Sequence, residues 1–332
     1  MTLTLLLPAF LPFLSTPSTS RRGGFRRRLL PCIACAKGAP SRNPDDYHAT
    51  LRALNRRGRT PRKSLGQHYM LNNEINEQLV ASSSVEEGDL VLEIGPGTGS
   101  LTNVLINAGV TVLAIEKDPH MASLVNERFA GNDKLKVLQE DFVKCHIRSH
   151  ISSLLASMKP SRKSRYAKVV SNIPFNISTD VVKQVLPMGD IFSEVVLLLQ
   201  EETANRLSVL SPGTSEYRPI NVFVNFYSVP EYIANVPRSN FFPQPKVDAA
   251  IVRFKLKQAA EYPPVTSTKS FFSMVKSAFN GKRKMLRKSL QHLNTAVDIE
   301  NALVGIGLPS NSRPEDLTMD DFVQLHNMIT PG

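Results

Sequence analysis

The run Val169-Val-Ser-Asn172-Ile-Pro-Phe175 delivers an amide, a backbone carbonyl and an aromatic ring to the end of an apolar strand. Those are the groups needed to hold a nucleobase by its exocyclic amine, a poor nucleophile because its lone pair is delocalised into the ring. The side-chain oxygen of Asn172 can accept one amine hydrogen. The carbonyl of Ile173 can accept the other, since Pro174 restricts the residue before it to extended backbone. Phe175 offers a stacking face, worth about 1–3 kcal/mol per base in single-stranded nucleic-acid sites. By itself an Asn-x-Pro-aromatic tetrapeptide is equally a turn after a strand, so its meaning depends on what precedes it.

Three strand ends precede it. Leu90 to Ile94 reads as a buried strand that enters the glycine-rich turn Gly95-Pro-Gly97-Thr-Gly99, and Ser100 to Ala108 has the apolar spacing of a helix. Gly95 and Gly97 allow close approach of a ligand to the backbone. The G-x-G-x-G spacing differs from the G-x-G-x-x-G that wraps a dinucleotide pyrophosphate, and Glu93 before it would repel one. Val110 to Ile115 reads as a second strand, ending in Glu116 about 20 residues past the loop, where an acid accepts from ribose hydroxyls. Leu135 to Gln139 reads as a third, followed by Asp141, which could take the amino group of an adenine. Singly, Glu116 or Asp141 is as well a helix cap or a solvated strand end. Together and in order they describe the crevice at the carboxyl ends of a parallel sheet.

These residues carry a resemblance to the ribosomal RNA adenine N6,N6-dimethyltransferases, relatives of the erythromycin-resistance RNA methylases, and among them to a plastid type acting on small-subunit rRNA. It covers roughly Lys63 to the end. It rests on Ser64-Leu-Gly-Gln67-His68-Tyr-Met70, Glu93-Ile-Gly-Pro-Gly-Thr-Gly99, Glu116-Lys-Asp118, Asn172-Ile-Pro-Phe-Asn-Ile-Ser178, Gln200-Glu-Glu202, Phe241-Phe-Pro-Gln-Pro-Lys-Val-Asp248 and Ala278-Phe-Asn-Gly-Lys-Arg-Lys-Met-Leu-Arg287. The resemblance implies an α/β class I methyltransferase (Rossmann-like) fold with a mostly parallel sheet and a small C-terminal helical domain. It implies S-adenosyl-L-methionine as cofactor, contacted by His68, Met70, Gly95, Gly97, Glu116, Asp141 and Asn172. It implies catalysis by Asn172, Ile173, Pro174 and Phe175, with Phe241 as a second aromatic closing on the base. Small-subunit rRNA or the pre-ribosomal small subunit is the implied partner. Two departures keep the chemistry: His68 stands where bacterial members usually have Asn, and Ile173-Pro-Phe175 replaces Leu-Pro-Tyr.

The chain is +11 overall, but the first 44 residues hold seven basic residues and no acid, which leaves +4 for residues 45–332. An amino terminus rich in Ser, Thr, Pro and Arg and without acids reads as an organelle transit peptide, plastid ahead of mitochondrion. Its apolar run at residues 3–14 is too short to span a membrane. Cys32 and Cys35 lie in this segment, so that Cys145 alone remains elsewhere and neither a disulfide framework nor a four-cysteine zinc site can be built. The histidines show no close ligand spacing, and the expected chemistry uses no metal. No membrane partner is expected, and the protein is expected to be a monomer.

The expected organisation is a transit peptide over 1–44, a basic linker over 45–63, a methyltransferase domain over 64–258 and a helical RNA-docking domain over 265–332, parted at Tyr262-Pro-Pro-Val265. Phe192 to Leu199, Asn221 to Val229 and Ala249 to Leu256 read as late strands, the last antiparallel. Met158 to Lys168 reads as a surface loop, Phe271 to Leu293 as helical, and Thr318-Met-Asp-Asp321 as a capping box. Lys282, Arg283, Lys284 and Arg287 form a basic cluster, joined by Arg162, Lys163 and Arg165 and by the arm Arg56 to Lys63. Clustered charge on a modestly charged body is the footprint of phosphate contacts, although such a run is also a solvated face. A non-catalytic ribosome-assembly or transcription factor built on the same body is the alternative function. An oxidoreductase is disfavoured by the glycine spacing.

Overall fold

The computed structural model describes residue 61 and residues 66–158, 166–208, 211–214, 216–281 and 284–330. By its contacts the chain divides into Met1–Lys37 and Gly38–Gly332, and every described residue belongs to the second unit. The expected transit peptide, the expected linker apart from residue 61, and Arg162, Lys163, Arg165, Lys282 and Arg283 lie outside the described residues.

Seven strands form one sheet in the order β4-β3-β2-β5-β6-β9-β7. They are β2 (Leu90–Ile94), β3 (Thr111–Glu116), β4 (Leu135–Gln139), β5 (Ala167–Asn172), β6 (Phe192–Gln200), β7 (Ser228–Val236) and β9 (Ala249–Leu256). The first five pair in parallel; β9 runs antiparallel to both β6 and β7. Side-chain alternation divides the apolar strand residues between two faces. Leu90, Leu92 and Ile94 enter one core, while Val91, Val112, Ala114 and Val170 enter the other. Because helices cover both faces, β2 is buried at every position and reads as a continuous apolar run.

The crossover helices are α2 (Ser100–Asn107), α3 (Pro119–Arg128), α4 (Ile147–Ser157) and α5 (Ser178–Val185), after an initial α1 (Asn73–Ala81). A separate two-stranded ribbon joins β1 (Tyr69–Met70) to β8 (Phe241–Phe242) in antiparallel register, Tyr69 opposite Phe242 and Met70 opposite Phe241. The side-chain amide of Asn72 donates to that of Asn240 at 3.2 Å, and the Leu71 amide donates to the Asn240 carbonyl at 2.8 Å. The amino-terminal segment is thereby fastened to a loop some 170 residues away, beside the crevice.

One expectation is corrected and another refined. Asn221 to Val229 is not a strand: α6 (Glu201–Ser208) is followed by α7 (Pro219–Tyr227), and the strand begins at Ser228. Pro219 sits at the first helical position, where its fixed φ suits the turn, and Asn221 accepts from the Arg218 amide at 2.9 Å to start it. Burial of Val222, Val224, Phe226 and Tyr227 then overrides their β preference. Phe271 to Leu293, expected to be helical, is so in two pieces. It divides at Asn280-Gly281 into α8 (Thr268–Ala278) and a single turn, α9 (Leu286–Ser289). The chain finishes with α10 (Ala296–Gly305) and α11 (Met319–Ile329). As expected, Thr318 and Asp321 cap the last helix reciprocally, at 2.9 and 3.1 Å. Phe226 and Tyr227 on α7 pack against Phe271 and Phe272 on α8, so one apolar cluster runs from the sheet to Ile329.

Candidate active site

A cleft enclosing about 1100 Å³, its open mouth included, lies at the carboxyl ends of β2, β3, β4 and β5. This is the topological switch point, where the chain leaves β2 in one direction and returns to its other side as β5. His68, Met70, Gly95, Gly97, Glu116, Asp141, Asn172, Ile173, Pro174 and Phe175 all line it. The structure thus brings ten of the expected site residues to one place.

The glycine turn forms the floor. Gly95 and Gly97 hold φ of +69° and +57°, and a Cβ at either would meet Pro174 at 3.3 Å or the Tyr69 ring at 3.1 Å. The left-handed backbone therefore favours glycine at both, and the close neighbours add to that preference. Glu116, at the end of β3, is buried. Its carboxylate accepts from the Gly97 amide at 3.3 Å and from the Asp118 amide at 2.9 Å, which ties the turn to the next strand. Burial raises its pKa and these hydrogen bonds oppose the rise.

Asp141 serves two partners. One oxygen accepts from the Val143 amide at 3.2 Å and caps the short 3-10 turn Phe142–Lys144; the other pairs with Lys117 Nζ at 2.9 Å. The lysine holds its carboxyl below the usual carboxylate range. Asn172 ends β5 opposite Leu198, and among the described residues its side-chain amide has no hydrogen-bond partner. Phe175 stands beside it, its ring 5.7 Å from that of His68 at 29° and 6.3 Å from Phe241 at 66°. His68 Nδ1 lies 2.7 Å from the Pro243 carbonyl. A carbonyl only accepts, so the imidazole carries a proton on Nδ1.

Phe241 is not part of the cleft wall. It is buried behind Phe175 and meets that ring edge-on, while its neighbour Phe242 is exposed. Of the basic cluster, Lys284 is exposed, and Arg287 is half-buried and ion-paired with Glu300. Neither reaches the cleft.

Several residues of the site escaped sequence reasoning. Asn76 on α1 is 1% exposed and lines the cleft, and its Oδ1 has no partner among the described residues. The signal was its spacing: it shares a helix face with Leu79 and Val80, where an apolar residue is the norm. Lys117, the cation on Asp141, is another. Glu93 was read as an anion able to repel phosphate, and the structure corrects this. It is buried, it accepts from Thr102 Oγ1 at 2.7 Å, and burial pushes it up to about 8, so at neutral pH it is largely uncharged. Beside the cleft, Glu140, Cys145 and His150 converge, their ligand atoms within 4.8 Å of one another. Burial and the Glu140 carboxylate push the Cys145 thiol up to about 12.

The wall is rich in acceptors: the Glu116, Asp141 and Glu140 carboxylates, the unpartnered Asn76 oxygen and the Asn172 amide. Its cation, Lys117, is already paired with Asp141. Such a set suits a ligand that presents amines and hydroxyls rather than phosphates.

Known proteins give the same picture. A family described as ribosomal RNA adenine dimethylase matches residues 58–330. A chloroplastic ribosomal RNA small subunit methyltransferase of Arabidopsis thaliana is 69% identical over 305 residues, which span 92% of this chain and 88% of that protein. A ribosomal RNA small subunit methyltransferase A of Protochlamydia amoebophila is 37% identical over 83% of this chain and 94% of its own. A dimethyladenosine transferase from Plasmodium falciparum superposes with a TM-score of 0.60 at 25% identity, over 77% of this chain and 95% of that one. The 23S rRNA methyltransferase ErmE shares the fold at 22% identity and a TM-score of 0.58, over 79% and 99% of the two chains. With a cleft of this chemistry on a fold of this topology, the chain belongs to the ribosomal RNA adenine dimethylase family.

Proposed function

We propose that the protein transfers methyl groups from S-adenosyl-L-methionine to N6 of adenines in plastid small-subunit rRNA, two per target base and on two adjacent bases, as part of ribosome biogenesis. The observation that carries this reading is the meeting of the Asn172-Ile-Pro-Phe175 strand end with Gly95, Glu116 and Asp141 on one cleft. The family and the 69% identical chloroplastic relative support the rRNA target and the plastid. An amino terminus without acids supports import, with residues 1–44 as the removable segment.

The acceptor-rich wall fits the cofactor. Asp141 would hold the adenine amino group once Lys117 yields it, Glu116 would hold the ribose hydroxyls, and Asn76 Oδ1 is a buried acceptor with no partner of its own. His68, Met70, Gly95 and Gly97 would complete the enclosure. Bound there, the cofactor supplies a sulfonium methyl already activated for transfer, so positioning accounts for most of the catalysis.

The protein's part is to hold the incoming amine. Asn172 Oδ1 and the Ile173 carbonyl would accept its two hydrogens and favour the positive charge that grows on nitrogen. Pro174 fixes the carbonyl's direction. The base must leave its stack, at a cost of a few kcal/mol, and Phe175 offsets part of that. Phe241 would act by bracing Phe175 from behind. Residues 265–332 would dock RNA through the basic cluster that includes Lys284. Among the described residues no helix is long and apolar enough to cross a membrane.

Primer extension across the 3′ region of small-subunit rRNA, in plastid and mitochondrial RNA from cells lacking the protein, tests the proposal. Loss of the dimethyladenosine stops in plastid RNA is expected. Their persistence there would overturn it.

A further inference from the structure

We propose that Glu140, Cys145 and His150 form a binding site for a borderline-soft divalent cation of the zinc class, and that a cation bound there tightens the neighbouring cleft. The linkage rests on the cofactor reading given above; the cation site does not. Glu140 directly follows β4, Cys145 closes the 3-10 turn Phe142–Lys144, and His150 lies in the first turns of α4. Glu140 Oε1 and His150 Nε2 are 3.4 Å apart, the Cys145 thiol is hydrogen-bonded to the Glu140 carboxylate, and all three ligand atoms fall within 4.8 Å of one another. Glu140 and His150 already stand at the spacing of two donors on a four-coordinate zinc ion at ~2.0–2.3 Å, and the Cys145 thiol completes the set by a closure of at most about 1 Å.

The donor set is one sulfur, one imidazole nitrogen and one carboxylate oxygen, a mixture that favours zinc-class ions over magnesium or calcium. Cys145 is buried while Glu140 and His150 are about one third exposed, so the site is anchored on the protein side and open to entry on the other. A fourth position is left for water. Held as a neutral thiol, Cys145 is a poor target for oxidation. On binding, the thiol proton leaves to solvent and the thiolate, imidazole and carboxylate fill three positions.

The segment between the first two ligands, Glu140 and Cys145, carries Asp141 and Phe142, and both line the cleft together with Glu140 itself. A cation joining Glu140 to Cys145 pins the two ends of that segment, and His150 fixes it to α4. Ordering the wall beforehand removes part of the ordering cost of ligand binding. Coupling of this kind is reciprocal and typically amounts to about 5–150-fold.

The test uses the full chain carrying Cys32→Ser and Cys35→Ser, so that Cys145 is the one remaining thiol. Metal-free protein is titrated with Co²⁺. A thiolate-to-cobalt charge-transfer band in the near ultraviolet is expected, bleached by Zn²⁺, absent after Cys145→Ser and weakened after His150→Ala. Calorimetry with S-adenosylhomocysteine should then show at least about fivefold tighter binding in the presence of Zn²⁺, with Zn²⁺ affinity rising by the same factor when that ligand is bound. No band, or a band that survives Cys145→Ser, overturns the site. A band without any change in S-adenosylhomocysteine affinity overturns the coupling. A band with no S-adenosylhomocysteine binding at all would instead overturn the cofactor reading of the cleft.

Discussion

Ser171 bridges both backbone groups of Ile94: its Oγ accepts from the Ile94 amide at 2.9 Å and donates to the Ile94 carbonyl at 2.6 Å. The two residues lie on adjacent strands, β5 and β2, which pair directly at Val91–Lys168 and Leu92–Val169 and no further along. Where the next ladder bonds would fall, the hydroxyl stands between the strands. Their ends part there, one leading into Gly95 and the other into Asn172. A serine side chain thus satisfies buried backbone while holding the cleft open.

Replacing Ser171 with Ala should leave the buried amide and carbonyl of Ile94 without partners. The expected cost is about 1–3 kcal/mol, seen as a lower urea midpoint at unchanged slope. An unchanged midpoint would show that the strands close up and pair directly. S-adenosylhomocysteine binding should then fall as the cleft narrows.

Asn172→Ala should lower kcat by about 10²–10³, the scale of losing one preorganised acceptor for developing charge. Its amide has no partner among the described residues, so no hydrogen bond among them is lost and the thermal midpoint should be preserved. Single-turnover methylation of an rRNA hairpin reads the effect. Near-wild-type turnover would remove Asn172 from the chemistry.

Phe175→Ala should lose about 1–3 kcal/mol of transition-state stabilisation, and Phe175→Tyr should lose little, because an aromatic face is what the base requires. The comparison is made in kcat/KM for RNA. Equal losses in both variants would remove stacking as the explanation. Since His68 stacks on the same ring and is held by the Pro243 carbonyl, His68→Ala should reproduce part of the Phe175→Ala loss.

Gly95, Glu116, Asp141 and Asn172 were legible in the sequence because each sits at a strand end, and strand ends in a parallel sheet share one edge whatever the helices between them do. Ser171 and Asn76 were not legible as site residues. Ser171 acts on a residue 77 positions away, and Asn76 reaches the cleft because α1 packs beside β5; neither contact has a local signature. The same holds for Glu140, Cys145 and His150, whose spacing matches no ligand pattern and whose meeting depends on a 3-10 turn. Asn221 to Val229 failed for another reason: its β-branched and aromatic residues are equally suited to a helix buried on most sides, and Pro219 decides between the two.

Glu93 predicts a pH dependence. Its carboxyl is raised from an ordinary 4.5 to about 8, chiefly by burial, so the folded protein keeps a proton that the unfolded chain releases. The stabilising contribution is therefore complete below about pH 4.5 and is lost as pH rises through about 8. Glu93→Gln keeps an acceptor for Thr102 and has no proton to lose. Relative to this variant, wild type should lose stability progressively between about pH 5 and 9, followed by urea unfolding across the range. Parallel curves would show that Glu93 ionises without cost.

Lys284 and Arg287 separate the two readings of the basic cluster. Lys284 is exposed and pairs with no acid among the described residues, whereas Arg287 is half-buried against Glu300, and its Nε is buried without a partner among them. A lysine free to meet a phosphate contributes about one unit to the slope of log K against log salt. An arginine already paired contributes less to RNA and more to the fold. Lys284→Gln should accordingly flatten the salt dependence of RNA binding by about one unit and leave unfolding unchanged. Arg287→Gln should lower stability, since it leaves the half-buried Glu300 without its partner, and should change the slope less. Filter binding across a salt series, with thermal unfolding of the same variants, reads both quantities. The reverse pattern would place RNA on Arg287 and return Lys284 to a solvated face.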